Sequence, residues 1–196
     1  VAGRKQFDVD AALDAAMTRF WRAGHAATSV DDLCRVTGLN RSSLYSTFGG
    51  KDALFLRCLD RYATRYGEKY DAALSCAASD PLAAVRAFFQ VTLDRIADPA
   101  LPDGCLIAQS ALAIPVLTED VAARAKDALG AQRKRLRAAL KASRLADQHA
   151  EDFAEHAAAV NQSLAVMSRG GASPAQLRAI VGVTVEALSH ALPTHT

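Results

Sequence analysis

The chain has 196 residues, 51% hydrophobic and 22% charged, which is enough apolar material for one globular domain or two small ones. Its net charge of +2 excludes a general cationic coat for nucleic acid, so any DNA affinity must come from a local patch. No apolar run approaches the roughly 20 residues that a membrane span needs, and the four scattered cysteines form no C-x-x-C pair of the kind that binds zinc.

Alanine supplies much of the apolar content, and no stretch alternates apolar and polar residues, so the chain reads as all-α with about nine helices. The first helix is expected to start with Asp8 as N-cap and to run to about Ala23. Ala12, Leu13, Ala16, Met17, Phe20 and Trp21 recur along it at helical spacing. Gly24 ends it, and His25 is read as a group facing or capping that end. The second helix opens at Ser29, where Asp32 three residues on suggests a capping box, and it stops at Gly38. Asn40 is the expected N-cap of a third helix, from Arg41 to about Thr47, and Gly49-Gly50 break the chain again.

A long fourth helix follows from Lys51 to about Ala77. Cys58 and Cys76 lie 18 residues apart on it, which puts them on one face and far from each other along the axis. Asp80-Pro81 opens a fifth helix to about Ala97, and 98–104 is a loop by its prolines and glycine. A short apolar helix, Cys105 to Ile114, is expected to end at Pro115. Thr118 then caps a helix reaching about Lys141, which carries Arg133, Lys134, Arg135 and Arg137. Two last helices cover about 147–169 and 174–191.

The spacing of the second and third helices about Gly38 is that of a helix-turn-helix. Val30, Leu33, Cys34, Leu39, Leu44 and Phe48 would hold the two helices together. Arg41, Ser42, Ser43, Tyr45, Ser46 and Thr47 would face outward as hydrogen-bonding groups with a single full charge, as suits a recognition helix. Arg41 can fork onto a guanine, whereas Tyr45 and Thr47 are better placed for phosphates. Lys51 and the N–H groups at the start of the fourth helix can hold a phosphate together, and Thr28 and Ser29 complete the expected DNA-contact set. Arg4 and Lys5 form a candidate N-terminal arm. Spacing alone would also fit a plain αα-hairpin.

Residues 8–60 resemble the N-terminal domain of TetR-family transcriptional regulators. The resemblance rests on Phe7, Phe20, Gly24, Thr28-Ser29-Val30, Asp32-Leu33, Gly38-Leu39, Leu44-Tyr45, Phe48, Lys51 and Leu54-Phe55. Gly49-Gly50-Lys51-Asp52 stands where the family often has a short polar stretch ending in Lys-Asp or Lys-Glu. Cys34 stands where the family usually has a smaller residue. The resemblance implies a three-helix DNA-binding domain over 1–55 and a helical effector-binding and dimerisation domain over 56–196. It further implies a homodimer on a palindromic operator, usually a repressor, released by a small-molecule effector. The scattered cysteines lead to the expectation of a reduced, cytoplasmic protein, and the lack of a catalytic motif to that of a protein that is not an enzyme. VAGRKQF has no apolar segment of the kind found in a signal peptide, and no catalytic motif or cofactor fingerprint is present.

In the second half, 102–114 resembles a Gly-Cys-Leu segment found in part of the family, in some members of which the cysteine senses electrophiles or oxidants. Cys105 is therefore either such a sensor or a small apolar residue tucked at a helix start. His149, Asp152 and His156 share a helical face; they are read mainly as a polar face, with a metal-sensing repressor as the alternative and no resident metal or cofactor expected. The last two helices carry the apolar stripes Phe153, Ala157, Val160, Leu164, Met167 and Leu177, Ile180, Val181, Thr184, Leu188. These can serve the subunit's own core, a dimer interface, or both. The expected effector pocket takes Phe88, Phe89, Leu93, Cys105, Gln109, Leu112, Asn161 and Leu164 from the middle helices.

Overall fold

A computed structural model describes residues 7–76, 80–141 and 147–191. Arg4 and Lys5, read as a candidate arm, lie outside the described residues. The described chain forms nine α-helices: α1 (Val9–Ala23), α2 (Val30–Thr37), α3 (Arg41–Phe48), α4 (Lys51–Cys76), α5 (Pro81–Ala97), α6 (Leu106–Ala113), α7 (Glu119–Lys141), α8 (Asp147–Arg169) and α9 (Pro174–Ala191). A 3₁₀ turn, Ile114–Val116, joins α6 to α7.

The helix starts follow local chemistry. Asp8 accepts from the N–H groups of Asp10 and Ala11, and Asp80 from those of Leu82 and Ala83. Ser29 and Asp32 form the reciprocal capping box, and Gly38 ends α2 at φ 70°, a left-handed conformation that a side chain would strain.

Helices α1 and α3 pack on α4, and α2 packs on α1 and α3. Phe20 meets Phe55 at a ring-centroid distance of 4.7 Å, and Leu33, Leu44, Leu54 and Leu59 are fully buried around them. The second half of α4 runs into the larger body, against α5 and α7, so a single helix belongs to both parts. An ion-pair clamp reinforces the α1–α4 seam: Arg61 donates to Asp10 and Asp14, and Arg65 also donates to Asp14. The Arg61 hydrogen bond, aided by Arg65 and opposed by burial, holds the Asp14 carboxyl below its usual range.

Two expectations change. The expected helix end at Pro115 becomes a 3₁₀ turn that includes the proline near its start, where the missing N–H matters little. His25 does not cap α1. Its Nε2 lies 2.7 Å from Asp52 Oδ1, and its ring lies near Phe20 and Phe55, so it ties the α1–α2 loop to the start of α4.

Candidate nucleic-acid interface

Helix α3 is short, and its geometry is set at both ends. Asn40 Oδ1 accepts from the Ser43 N–H at 2.7 Å, and the Gly49 N–H donates to Tyr45 O at 2.9 Å with Gly49 at φ 82°. Leu44 and Phe48 are buried in the core. The opposite face carries exposed Arg41, Ser42, Tyr45 and Ser46, with Ser43 and Thr47 half-buried beside them. Tyr45 keeps 50% of its surface exposed while its ring lies against Gly50. A Cβ at Gly50 would stand 3.2 Å from that ring, at a φ of 117°. Gly50 therefore both permits the turn and seats the tyrosine.

Gly50 also caps α4, its carbonyl accepting from the Leu54 N–H at 3.0 Å. It has no side chain to bond the first N–H groups of α4, and Lys51 stands half-buried beside them. That combination suits an anion. Arg41, the expected base-reading group, is exposed but paired: its Nη2 donates to Asp31 Oδ1 on α2 at 2.7 Å. That hydrogen bond, and the carboxylate charge behind it, raise the guanidinium's already high pKa.

Two residues of the expected contact set have structural duties. Thr28 is 0% exposed and its hydroxyl donates to Gly24 O at 2.7 Å, so its side chain is not a surface group; this corrects the expectation. Ser29 is exposed, but its hydroxyl accepts from the Asp32 N–H and donates to the Asp32 carboxylate. The Ser29 backbone N–H and hydroxyl, with Arg35 and Arg19, hold the Asp32 carboxyl well below its usual range.

In the body, α4 presents Tyr62, Tyr66 and Tyr70 at successive turns, all buried. The Tyr62 hydroxyl donates to Cys105 Sγ at 3.3 Å. Tyr70 Oη lies 2.7 Å from Thr92 Oγ1, Thr92 donates to Asn161 Oδ1 at 2.6 Å, and Asn161 donates to Gln132 at 3.0 Å. Tyr62, Tyr66, Tyr70, Cys105, Gln132 and Arg135 are among the residues that line a cavity of about 20 Å³ among α4, α6 and α7. It has room for roughly one water.

The expected effector residues are thereby dispersed. Cys105 is on the cavity wall. Phe88, Phe89 and Leu164 are core residues, and Asn161 is the hub of the polar network behind the cavity. Leu93 faces a surface groove with Val181 and Val185 of α9. Gln109 packs on Gly24 and accepts from Arg169. Leu112 is 79% exposed, which corrects its placement in a pocket: α6 is a single short layer and turns that side chain outward. Sequence reasoning missed the tyrosine series, Gln132 and Arg135, although Tyr62, Tyr66 and Tyr70 recur at four-residue spacing, the visible sign of one helical face.

It also missed a link between α8 and α1. Arg169, the last residue of α8, donates to the carbonyls of Trp21 at 3.2 Å and Arg22 at 2.6 Å, at the end of α1. His149, Asp152 and His156 are exposed. Asp152 accepts from Gln148, and among the described residues no group of three His, Cys, Asp or Glu could hold a metal. Nor, among the described residues, is any helix long and apolar enough to cross a membrane.

Comparison with known proteins agrees with this geometry. The family model for bacterial regulatory proteins of the tetR family matches residues 12–58, which include α2, α3 and the start of α4. The HTH-type transcriptional repressor ComR of Escherichia coli (strain K12) is 32% identical over 186 residues, covering 92% of this chain and 89% of that protein. A cysteine mutant of the TetR family transcriptional regulator CifR, complexed with 26 bp double-strand operator DNA, superposes with a TM-score of 0.81 at 28% identity, over 93% of this chain and 98% of that one. A TetR-family regulator from Agrobacterium tumefaciens superposes with a TM-score of 0.77 at 26% identity, over 91% and 95% of the two chains. The chain belongs to the TetR family of bacterial regulatory proteins.

Proposed function

We propose that this protein is a transcriptional repressor that binds a palindromic operator as a homodimer and leaves it when a small molecule occupies the helical body. The observation that carries the DNA reading is the outward face of α3. It presents Arg41, Ser42, Tyr45 and Ser46 on a helix held by Asn40 and Gly49, next to the open N-terminus of α4 and Lys51. Arg41 reads a base; Tyr45, Ser42, Ser43, Ser46, Thr47 and Lys51 fix register on phosphates and sugar edges. Ser29 acts through its exposed position at the start of α2. The name of ComR and the operator DNA bound to CifR support the same role. The head, 1–55, and the body, 56–196, share α4, so a change of body packing alters where the head sits.

The dimer reading has its own support. Val166 and Met167 on α8 and Val183 on α9 are exposed apolar side chains on the last two helices, as a four-helix contact between copies requires. The test is selection of binding sites from random duplexes, followed by titration of the Arg41→Ala and Tyr45→Ala variants. A two-fold-symmetric site whose affinity falls in both variants is expected. Unchanged affinity in both would remove α3 as the reading element.

A second reading concerns the signal. Cys105 is buried on the cavity wall with the Tyr62 hydroxyl donating to its sulfur, so covalent modification there would break a buried contact. Operator release by an oxidant or electrophile that persists in Cys105→Ser would exclude it.

A further inference from the structure

Most arginines of α1–α4 are paired with the chain's own carboxylates. Arg19 and Arg35 pair with Asp32, Arg41 with Asp31, Arg61 with Asp10 and Asp14, and Arg65 with Asp14. Arg57 on α4 is exposed and differs from them. Among the described residues it has no carboxylate partner, and Asp60, one turn on, is held by Arg124 of α7 instead. The Arg57 guanidinium lies 5.5 Å from the centroid of the Phe48 ring, and its Nη1 donates to the Thr47 carbonyl in a long bond of 3.4 Å. Both partners are the last residues of α3.

Helix geometry accounts for this reach. A helical side chain leans toward the N-terminus of its own helix, so Arg57 extends back across the Gly49-Gly50 turn to the end of α3. There the last carbonyls lack helical partners and carry the negative end of the helix dipole, which favours a cation. The aromatic face adds an attraction that leaves the charge intact. Neutral partners therefore orient the guanidinium without neutralising it. Arg95 of the body is held in the same neutral manner, by the Gly104 carbonyl and beside the Trp21 and Tyr66 rings, but it is 5% exposed, whereas Arg57 faces solvent. Lys51 and Arg57 are six residues apart, about 120° round the helix, so the two cations flank the α3–α4 turn from different sides.

We propose that Arg57 is a phosphate-binding residue of the operator interface, holding one backbone phosphate at the C-terminal edge of α3 together with Thr47, as Lys51 does at the start of α4. The inference rests on the DNA reading above and adds a contact residue from outside the helix-turn-helix. A phosphate at the Thr47 hydroxyl lies within reach of the guanidinium donors that the Thr47 carbonyl leaves unused. Arg41, in its proposed role, gives up a carboxylate; Arg57 gives up at most one long bond to a neutral carbonyl.

The probe is the two-fold-symmetric duplex that the intact protein selects from random sequence. A scrambled duplex of the same composition accompanies it, with a series in which single phosphates are replaced by uncharged methylphosphonates. Arg57→Gln is expected to weaken binding to the selected and the scrambled duplex by the same factor, and to lower the slope of log affinity against log salt by about 1 per half-site. One methylphosphonate position in each half-site should weaken binding of the unmodified protein and leave that of Arg57→Gln unaffected. Arg57→Lys should keep the slope and the sensitivity at that position while binding more weakly, having lost the planar fork. Arg22→Gln removes the same charge from the exposed end of α1 and should leave slope and phosphate profile unchanged. An unchanged slope and phosphate profile in Arg57→Gln, with or without weaker binding, overturns the proposal, because Arg57 would then only hold the end of α3. If Tyr45→Ala loses affinity while Arg57→Gln does not, Arg57 alone is defeated and α3 remains the reading element. Failure of the unmodified protein to select any duplex defeats the DNA reading and this contact together.

Discussion

In the proposed role, Arg41 exchanges one partner for another when it reads DNA. In the free protein it is bonded to Asp31, and both side chains are exposed, so the pair is weak and easily opened. Arg41→Ala is expected to weaken operator binding on the order of tenfold per half-site and to relax sequence preference at one base pair. Asp31→Asn is expected to do the reverse, tightening binding a few-fold, since it removes both the competing acceptor and a negative charge near the phosphates. Fluorescence anisotropy with operator and scrambled duplexes measures both. Lys51 is a different kind of group: its loss should affect all sequences alike and lower the slope of log affinity against log salt by about 1 per half-site. His25 makes the head sensitive to acid. Burial is the main cause pushing its pKa below the ordinary value; Lys51 adds to this, and the hydrogen bond to Asp52 opposes it. The folded protein therefore holds a neutral ring, and below about pH 6.5 the unfolded chain takes up a proton that the folded one refuses. Stability is expected to be complete above that pH and to fall as pH drops toward the folded value. Urea midpoints at pH 5 and pH 7 should differ less in His25→Gln than in the unmodified chain.

Several helix starts are legible in this sequence because each of them is set by one short polar residue acting over two or three positions. Asp8, Ser29, Asn40 and Asp80 all cap as their spacing predicts. Asn40 is the cap with functional weight. Asn40→Ala should cost about 1 kcal/mol in a urea titration and loosen α3, lowering operator affinity without touching a contact residue. The faces of α6 and the cavity walls were not legible, because the neighbours of a buried side chain come from distant helices. Leu112 and Leu106 are both leucines on α6, and the packing of α7, α8, α4 and α1 on that helix decides that one is 79% exposed and the other 1%. Arg95 and Arg169 were missed for a related reason: an arginine in a helical pattern reads as a solvated face. Arg169 instead satisfies carbonyls at the end of α1 that no helical N–H can reach, and also donates to Gln109 on α6. It joins the end of α8 to the middle of α6 and the end of α1. Arg169→Met should lower stability by about 1–2 kcal/mol, from lost charge-assisted bonds. It should also make operator affinity less responsive to whatever binds the body, which titration with and without the inducing compound measures.

At the scale of the molecule, the small net charge sets the limit. With a formal +2 over the whole chain, and Arg19, Arg35 and Arg41 paired to carboxylates within the head, one head offers few free cations to phosphates. In the proposed homodimer, affinity comes from two heads at a fixed spacing, where the second contact is made at high effective concentration. The last two helices divide their apolar residues accordingly. Ala157, Leu164, Leu177, Thr184 and Leu188, from the stripes visible in the sequence, are buried within the subunit, and Phe153, Val160, Ile180 and Val181 are partly buried. The exposed apolar positions are Met167 from the stripe and, one position off it, Val166 and Val183. The stripes thus serve mainly the subunit core, and the neighbouring residues carry the outward face. Val183 is 69% exposed, so Val183→Glu leaves the subunit core intact while placing two like charges near the axis of a two-fold contact. The expected outcome is a subunit that keeps its unfolding temperature, sediments at half the mass of the unmodified protein, and binds a half-site as before but the full palindrome far more weakly. A Val183→Glu protein that still sediments as a dimer and binds the palindrome normally would place the interface elsewhere, and the exposed apolar residues of α8 and α9 would then need another partner.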